Sequence, residues 1–439
     1  MSPSVLALLL RPAPGERSVL ALPIVAFGVV TALVLTVVGG AQSFWSWSDA
    51  DAGIYQALAA IALVLLVVPL STLGGAAARL SARRRDERLS TLRLLGVSPA
   101  GVISATVLES ILVAAAGAIA GVFGYLALTP LIALIPFRGE PLGLGGVLLP
   151  LPPIVLVVVG VVLLAAVSAA VGLRRVVISP LGVRTRSDVP SVHWMRAVLA
   201  VAVIALAIVI VRVFPGTAGL TLTIVVLAGV FGAAFAVLNL IGPWVLKLQA
   251  RWRLRRAERP DQLLSARQVL ESPKAAWRQV SGVAMTSFVA VFAGTGVSVM
   301  DTMSGSEADA NLLLAMDIRT GVLVTLAASF LMVAVSVGVN QAAGILDQRD
   351  LHRSLHFLGV PLRTVEVARQ RSVMSPLLMT AIGSALCAGL LVFPLMGIAL
   401  IVAPVSLLTI TAVVAAGIGL VWLSIRATAP LLARAFESR

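Results

Sequence analysis

Two histidines, His352 and His356, stand four residues apart in "HRSLH". On a helix that spacing puts both imidazoles on one face, as a metal pair requires. Asp347 and Asp350 are near in sequence. A metalloprotease-type zinc site needs H-E-x-x-H, and the chain contains neither that motif nor an evident third ligand. The pair is read as a polar helix face, and no metal site is expected. ATP hydrolysis needs a phosphate-cradling G-x-x-x-x-G-K-[ST] loop. The only two lysines are Lys247, after "GPWVL", and Lys274, after "ESP", so neither fits. The chain is expected to be no enzyme and to carry no cofactor of its own. Glu109 is the one acid inside a long apolar run, and an intramembrane carboxylate is a functional candidate by default. The densest chemistry is in "RRRDERLSTLRLLGVSP", 83–99. Four arginines (Arg83, Arg84, Arg85, Arg88) occupy six positions, followed by a ridge of Leu89, Leu92 and Leu95 that stops at Gly96. Such a segment can lay its leucines in a partner's groove and set its arginines against an acidic rim, while glycine ends the helix.

The elements that carry these residues follow from composition. The 439 residues are 59% hydrophobic and 12% charged, about half the charge of a soluble domain. Apolar runs of bilayer length recur throughout, which predicts an all-α polytopic membrane protein. Ten spans are expected, at 18–39, 54–76, 101–128, 149–171, 197–213, 220–241, 280–299, 320–339, 373–395 and 404–424. The first is too long for a signal peptide's apolar region and is read as retained. The single cysteine, Cys387, excludes an intrachain disulfide. With both termini placed in the cytoplasm, thirty of the 33 basic residues fall on inner segments; Arg138, Arg212 and Arg319 do not. The outer segments hold Asp49, Asp51, Asp301, Glu307, Asp309 and Asp317, and "FWSW" at 44–47 sits where an outer aromatic belt belongs. The net charge of +14 is spread over six inner segments, which argues against nucleic acid as a partner.

The chain also repeats. "LSTLRLLGVSPAGV" (89–102) resembles "HRSLHFLGVPLRTV" (352–365). An offset of 263 residues sets Leu92, Leu95, Gly96 and Val97 on Leu355, Leu358, Gly359 and Val360. Each copy lies between two apolar spans. The expected organisation is an interfacial helix at 1–17, a four-span repeat at 18–190, linker spans five and six within 191–259, a second interfacial helix at 260–279, and a second four-span repeat at 280–439. Six spans separate the starts of the two repeats, so both point the same way, as a parallel pseudo-dimer. The offset sets Ser372, beside Arg371, at the place of Glu109. A Glu109–Arg371 contact across the pseudo-twofold is one reading; a carboxylate hydrogen-bonded near the interface, using Ser104 or Ser110, is the preferred one. The small residues of span three (Ala114, Ala115, Ala116, Gly117, Ala120, Gly121) are read as a helix-packing face rather than a pore lining.

The run Arg84, Arg85, Glu87, Leu89, Leu92, Arg93, Leu95, Gly96 resembles the R-x-x-E-hydrophobic-x-x-L-R-x-L-G signature of FtsX-like permeases of ABC transporters. Leu355, Leu358 and Gly359 belong to a weaker second copy. The ten-span layout is similar to that of the single-chain permeases of bacitracin-type exporters. The resemblance implies a bacterial cell membrane and two copies of a separate cytoplasmic ATPase, which would hold the ATP and magnesium and grip both segments. It also implies export or extraction of an amphiphilic compound from surrounding membrane lipid, such as an antimicrobial peptide, a lipid or a drug. The alternative it implies is a mechanotransmitting complex that regulates an extracellular, lipoprotein or cell-wall partner. The outer loops at about 40–53 and 300–319 are too short for the large extracellular domain those relatives usually carry. An ion-coupled transporter is disfavoured, because it needs several intramembrane acids and the sequence offers one.

Overall fold

In hydrocarbon every backbone polar group must be satisfied within its own segment, so apolar runs of this length become helices. The computed structural model describes residues 17–49, 51–83, 99–178, 219–303, 309–392 and 404–437. In chain order its helices are α1 (Arg17–Gln42), α2 (Ala52–Arg83), α3 (Pro99–Ala133), the short α4 (Gly143–Val147) and α5 (Leu151–Ile178). They continue with α6 (Gly219–Arg255), α7 (Pro260–Glu271), α8 (Pro273–Met303), α9 (Asp309–Asp347), α10 (Arg349–Phe357), α11 (Leu362–Leu391), α12 (Pro404–Ala427) and α13 (Ala429–Glu437). The one sheet among the described residues is a two-stranded hairpin, β1 (Pro136–Phe137) against β2 (Glu140–Pro141).

Eight helices among the described residues are long and apolar enough to cross a bilayer, matching expected spans one to four and seven to ten. The chain is an all-α, multi-pass membrane protein. Expected span five lies outside the described residues, and span six falls within α6. Two segments drawn as loops are helix instead. The outer stretch 300–319 is mostly the end of α8 and the start of α9, so Asp317 and Arg319 are helical. A 39-residue helix is about 58 Å long and outreaches the membrane, and Asp317 is tied down by hydrogen bonds described below. The inner stretch 362–372 forms the first turns of α11, because Arg369 is buried and Arg371 has an acidic partner.

The described helices gather into two units that do not follow the sequence halves. Unit 1 contains α1 to α5, α9 and the junction of α12 and α13. Unit 2 contains α6 to α8, α10, α11 and most of α12. In unit 1, α1 crosses α3 at glycine contacts. A Cβ on Gly117 would lie 2.7 Å from the Ile24 carbonyl oxygen, and one on Gly121 would lie 2.5 Å from that of Gly28. Of the small residues of span three, Ala114, Gly117 and Gly121 are buried on this packing face, where van der Waals contact can hold helices in lipid, while Ala116 and Ala120 are exposed. Helix α9 packs along α2, and Phe27, Leu66, Leu73 and Met332 meet in the core. Helix α5 leaves Leu151, Leu156 and Leu163 exposed, as lipid-facing residues should be.

In unit 2, α8 packs on α11 as α1 does on α3. Trp277 lies against Gly242 and donates from Nε1 to Asn239 Oδ1 at 2.9 Å, joining α8 to α6. Helix α7 starts with proline, whose missing N–H costs nothing at that position. It was expected as an interfacial helix; it rests on α6 and α11, with Ser265, Ala266 and Val269 buried.

Candidate functional site

The second copy of the basic amphipathic segment is α10 and the turn after it. Leu351 and Leu355 in its nine residues, with Leu358 just past its end, stand at i, i+4 and i+7, the spacing of one helix face. Leu351 is 53% exposed and Leu358 78% exposed, while Leu355 is half-buried. Phe357 beside them is also exposed. The helix stops in a Schellman motif. Gly359 N–H donates to the His356 carbonyl at 2.9 Å, and Val360 N–H to that of Leu355 at 3.1 Å. Gly359 takes φ 76°, a left-handed conformation that costs glycine little and other residues more. The turn therefore sends an exposed leucine ridge straight into α11. Of the expected coupling residues, Leu355, Leu358 and Gly359 are placed here. Arg84, Arg85, Glu87, Leu89, Leu92, Arg93, Leu95 and Gly96 lie outside the described residues.

At the other end of α2 and α9 the structure builds a cluster that sequence reasoning did not assemble. Tyr55 Oη donates to Asp317 Oδ2 at 2.7 Å, joining α2 to α9. The Arg138 backbone N–H donates to both Asp317 carboxylate oxygens at 3.0 and 3.1 Å. Arg138 and Gly139 make the two-residue turn of the hairpin, with φ 57° and 81°. That is the type I′ pattern, whose twist suits a tight hairpin. The Arg138 side chain reaches Asp49 Oδ2 at 2.5 Å, and its guanidinium lies 4.1 Å from the Trp47 ring centre and 4.5 Å from that of Tyr55. Phe44 and Phe137 close the aromatic group. Partial burial works against the Arg138 charge, but the Tyr55 hydroxyl and the Asp49 carboxylate outweigh it and hold its pKa above the usual guanidinium value.

The segment that follows the hairpin, at the end of α4, is tied to α3. Tyr125, fully buried in α3, donates to the Val147 carbonyl at 2.9 Å and accepts from Leu149 N–H at 2.8 Å. In this clasp Arg138 is a structural cation, paired with Asp49 and set against the Trp47 and Tyr55 rings. Its signals in the sequence were the acids Asp49 and Asp317, "FWSW", and Arg138-Gly139 flanked by prolines. No local pattern linked them.

Glu109 is half-buried in α3, within unit 1. Arg371 belongs to unit 2 and pairs with Asp261 of α7. Close by, burial lowers the pKa of Arg253, and the Arg371 charge adds to the shift. Asp261 was missed because its partner is 110 residues away. No protein-family model matches the chain, and no curated protein is similar to it.

Proposed function

We propose that the chain is the membrane subunit of an ABC transporter of the FtsX-like kind, driven by two copies of a separate cytoplasmic ATPase. The observation that carries this is α10: an exposed leucine ridge, closed by a glycine turn, at the position where such permeases couple to their motor. Its counterpart after α2 bears the fuller signature, Arg84 to Gly96. Duplication is supported by the helix register. Helices α3 and α11 begin at Pro99 and Leu362, which are 263 residues apart, the offset of the sequence repeat. The pairing of α1 with α3 is matched by that of α8 with α11. Tyr55 and Asp317 are 262 residues apart, so the clasp joins nearly equivalent positions of α2 and α9. That is what a pseudo-twofold axis requires of residues beside it.

In this reading α2 and α9 are levers. From Tyr55 to Arg83 and from Asp317 to Asp347 each helix runs about 42–45 Å, more than the ~30 Å hydrocarbon core. ATP-driven closure of the motor moves the elbows, and rigid helices deliver the motion to the outer clasp. The load is an amphiphilic compound drawn from the membrane, because the segments at about 40–53 and 300–319 are too short to form a large extracellular domain. Regulation of an extracellular partner is the second outcome of the same motion. The test is co-purification with a soluble subunit, identified by mass spectrometry as bearing the phosphate-binding loop this chain lacks. The complex should hydrolyse ATP and respond to amphiphiles. L355E/L358E should cut subunit retention and turnover tenfold or more while the membrane chain stays folded. Unchanged retention would refute the proposal, and stimulation by an extracellular protein alone would select the signalling outcome.

A further inference from the structure

The inner end of α6 presents a surface that the proposed function does not use. In "WVLKLQARWRLRRAER", 244–259, six of sixteen residues are basic after Trp244 opens the stretch. At 100° per residue, Trp244, Leu248, Arg251, Trp252 and Arg255 fall within an arc of about 100°. Trp244, Leu248 and Trp252 are 37%, 54% and 54% exposed, and Arg251, Arg255 and Arg256 are exposed as well. The opposite face is packed: Leu246 and Ala250 are buried, and Gln249 donates to Ser375 Oγ at 3.1 Å. Down this exposed face the side chains therefore run Trp244, Leu248, Arg251, Trp252 and Arg255, from apolar and aromatic at one end to cations interleaved with an indole at the other, over about 16 Å. A membrane interface shows the same sequence of environments with depth.

The charges on this face are not spent internally. Arg253, on the packed side, sits by Arg371, and Asp261 serves Arg371. Among the described residues no carboxylate is paired with Arg251, Arg255 or Arg256, and the Arg256 guanidinium lies 4.2 Å from the Trp252 ring centre. That stack holds a cation beside an exposed indole, the pairing an interface of headgroups favours. Guanidinium groups bind phosphate through paired N–H donors. From the charge complementarity and the depth gradient, we infer that this face of α6 binds the headgroups of anionic phospholipids in the leaflet it meets. A soluble acidic partner fits less well, because Trp244 and Leu248 on the same face belong in lipid.

The test uses the full chain reconstituted in phosphatidylcholine with spin-labelled phosphatidylglycerol or phosphatidylcholine as probe. The wild type should hold phosphatidylglycerol in preference, and salt should weaken that preference. R251Q/R255Q/R256Q should abolish it, with R255Q alone losing about fivefold, and R319Q leaving it intact. An unchanged preference in the triple variant, or an equal loss in R319Q, overturns the inference. So does a triple variant that keeps its lipid but sheds a soluble subunit. If the triple variant does not fold, R255Q alone decides, because its side chain is exposed.

Discussion

Asp317 shows how one residue can be placed by chemistry that its neighbours in sequence do not reveal. Its carboxylate is 6% exposed and accepts from Tyr55 Oη and the Arg138 N–H. A hydrogen bond to a charged acceptor contributes about 1.5–3 kcal/mol. Asp317→Ala leaves both donors unpaired and should destabilise the folded protein by about 3 kcal/mol; Tyr55→Phe should cost less, about 1–2 kcal/mol. Thermal unfolding of the purified protein in one detergent checks both, and equal melting temperatures would contradict the clasp. The pH dependence has a clear sign. Arg138 has a raised pKa, so its contribution is complete below the ordinary guanidinium value and fades only above its own. Alkaline conditions in the range a cell meets should leave the Arg138–Asp49 contact intact.

Among the helices, packing depends on where side chains are absent. Gly121 admits Gly28 O and the Thr31 side chain at distances no Cβ tolerates, whereas Gly160 in α5 faces open space. Gly121→Val should force α1 from α3 and cost about 2 kcal/mol or more. Gly160→Val should be close to neutral, and the difference between the two melting temperatures is the measurement. The small-residue run in span three was legible in the sequence as a packing face because hydrophobic driving force is weak between helices in lipid. Its partner was not, since Gly28 lies about ninety residues upstream in another span. Helix ends were misjudged where helix continues past the apolar stretch. Asp317 and Arg371 read as loop charges, yet each is satisfied by a partner that only packing supplies.

For the whole molecule, the charge pattern predicts an orientation, and exposed residues beside the clasp and on α10 give it a direct test. In a C387A background, S48C beside the clasp should react with a membrane-impermeant maleimide in intact cells. S354C on α10 should react only after permeabilisation. Both native serines are exposed, so burial does not mask the answer. The reverse labelling would invert the topology and remove the basis for a cytoplasmic motor. Helix α9, from the second half of the sequence, packs on α2 of the first.

Composition and periodicity alone determined the solvent this protein lives in, its helical class, most of its spans and the amphipathic α10. Each of these follows from local rules: length against bilayer thickness, charge against interface, leucine spacing against helix pitch. Only the tertiary structure decided that Tyr55, Arg138 and Asp317 form one clasp, that Arg371 answers Asp261, and that α9 lies on α2. Those contacts join residues from 110 to 262 positions apart. Their stability comes from removing polar groups from water together, a cooperative event that no local stretch of sequence records.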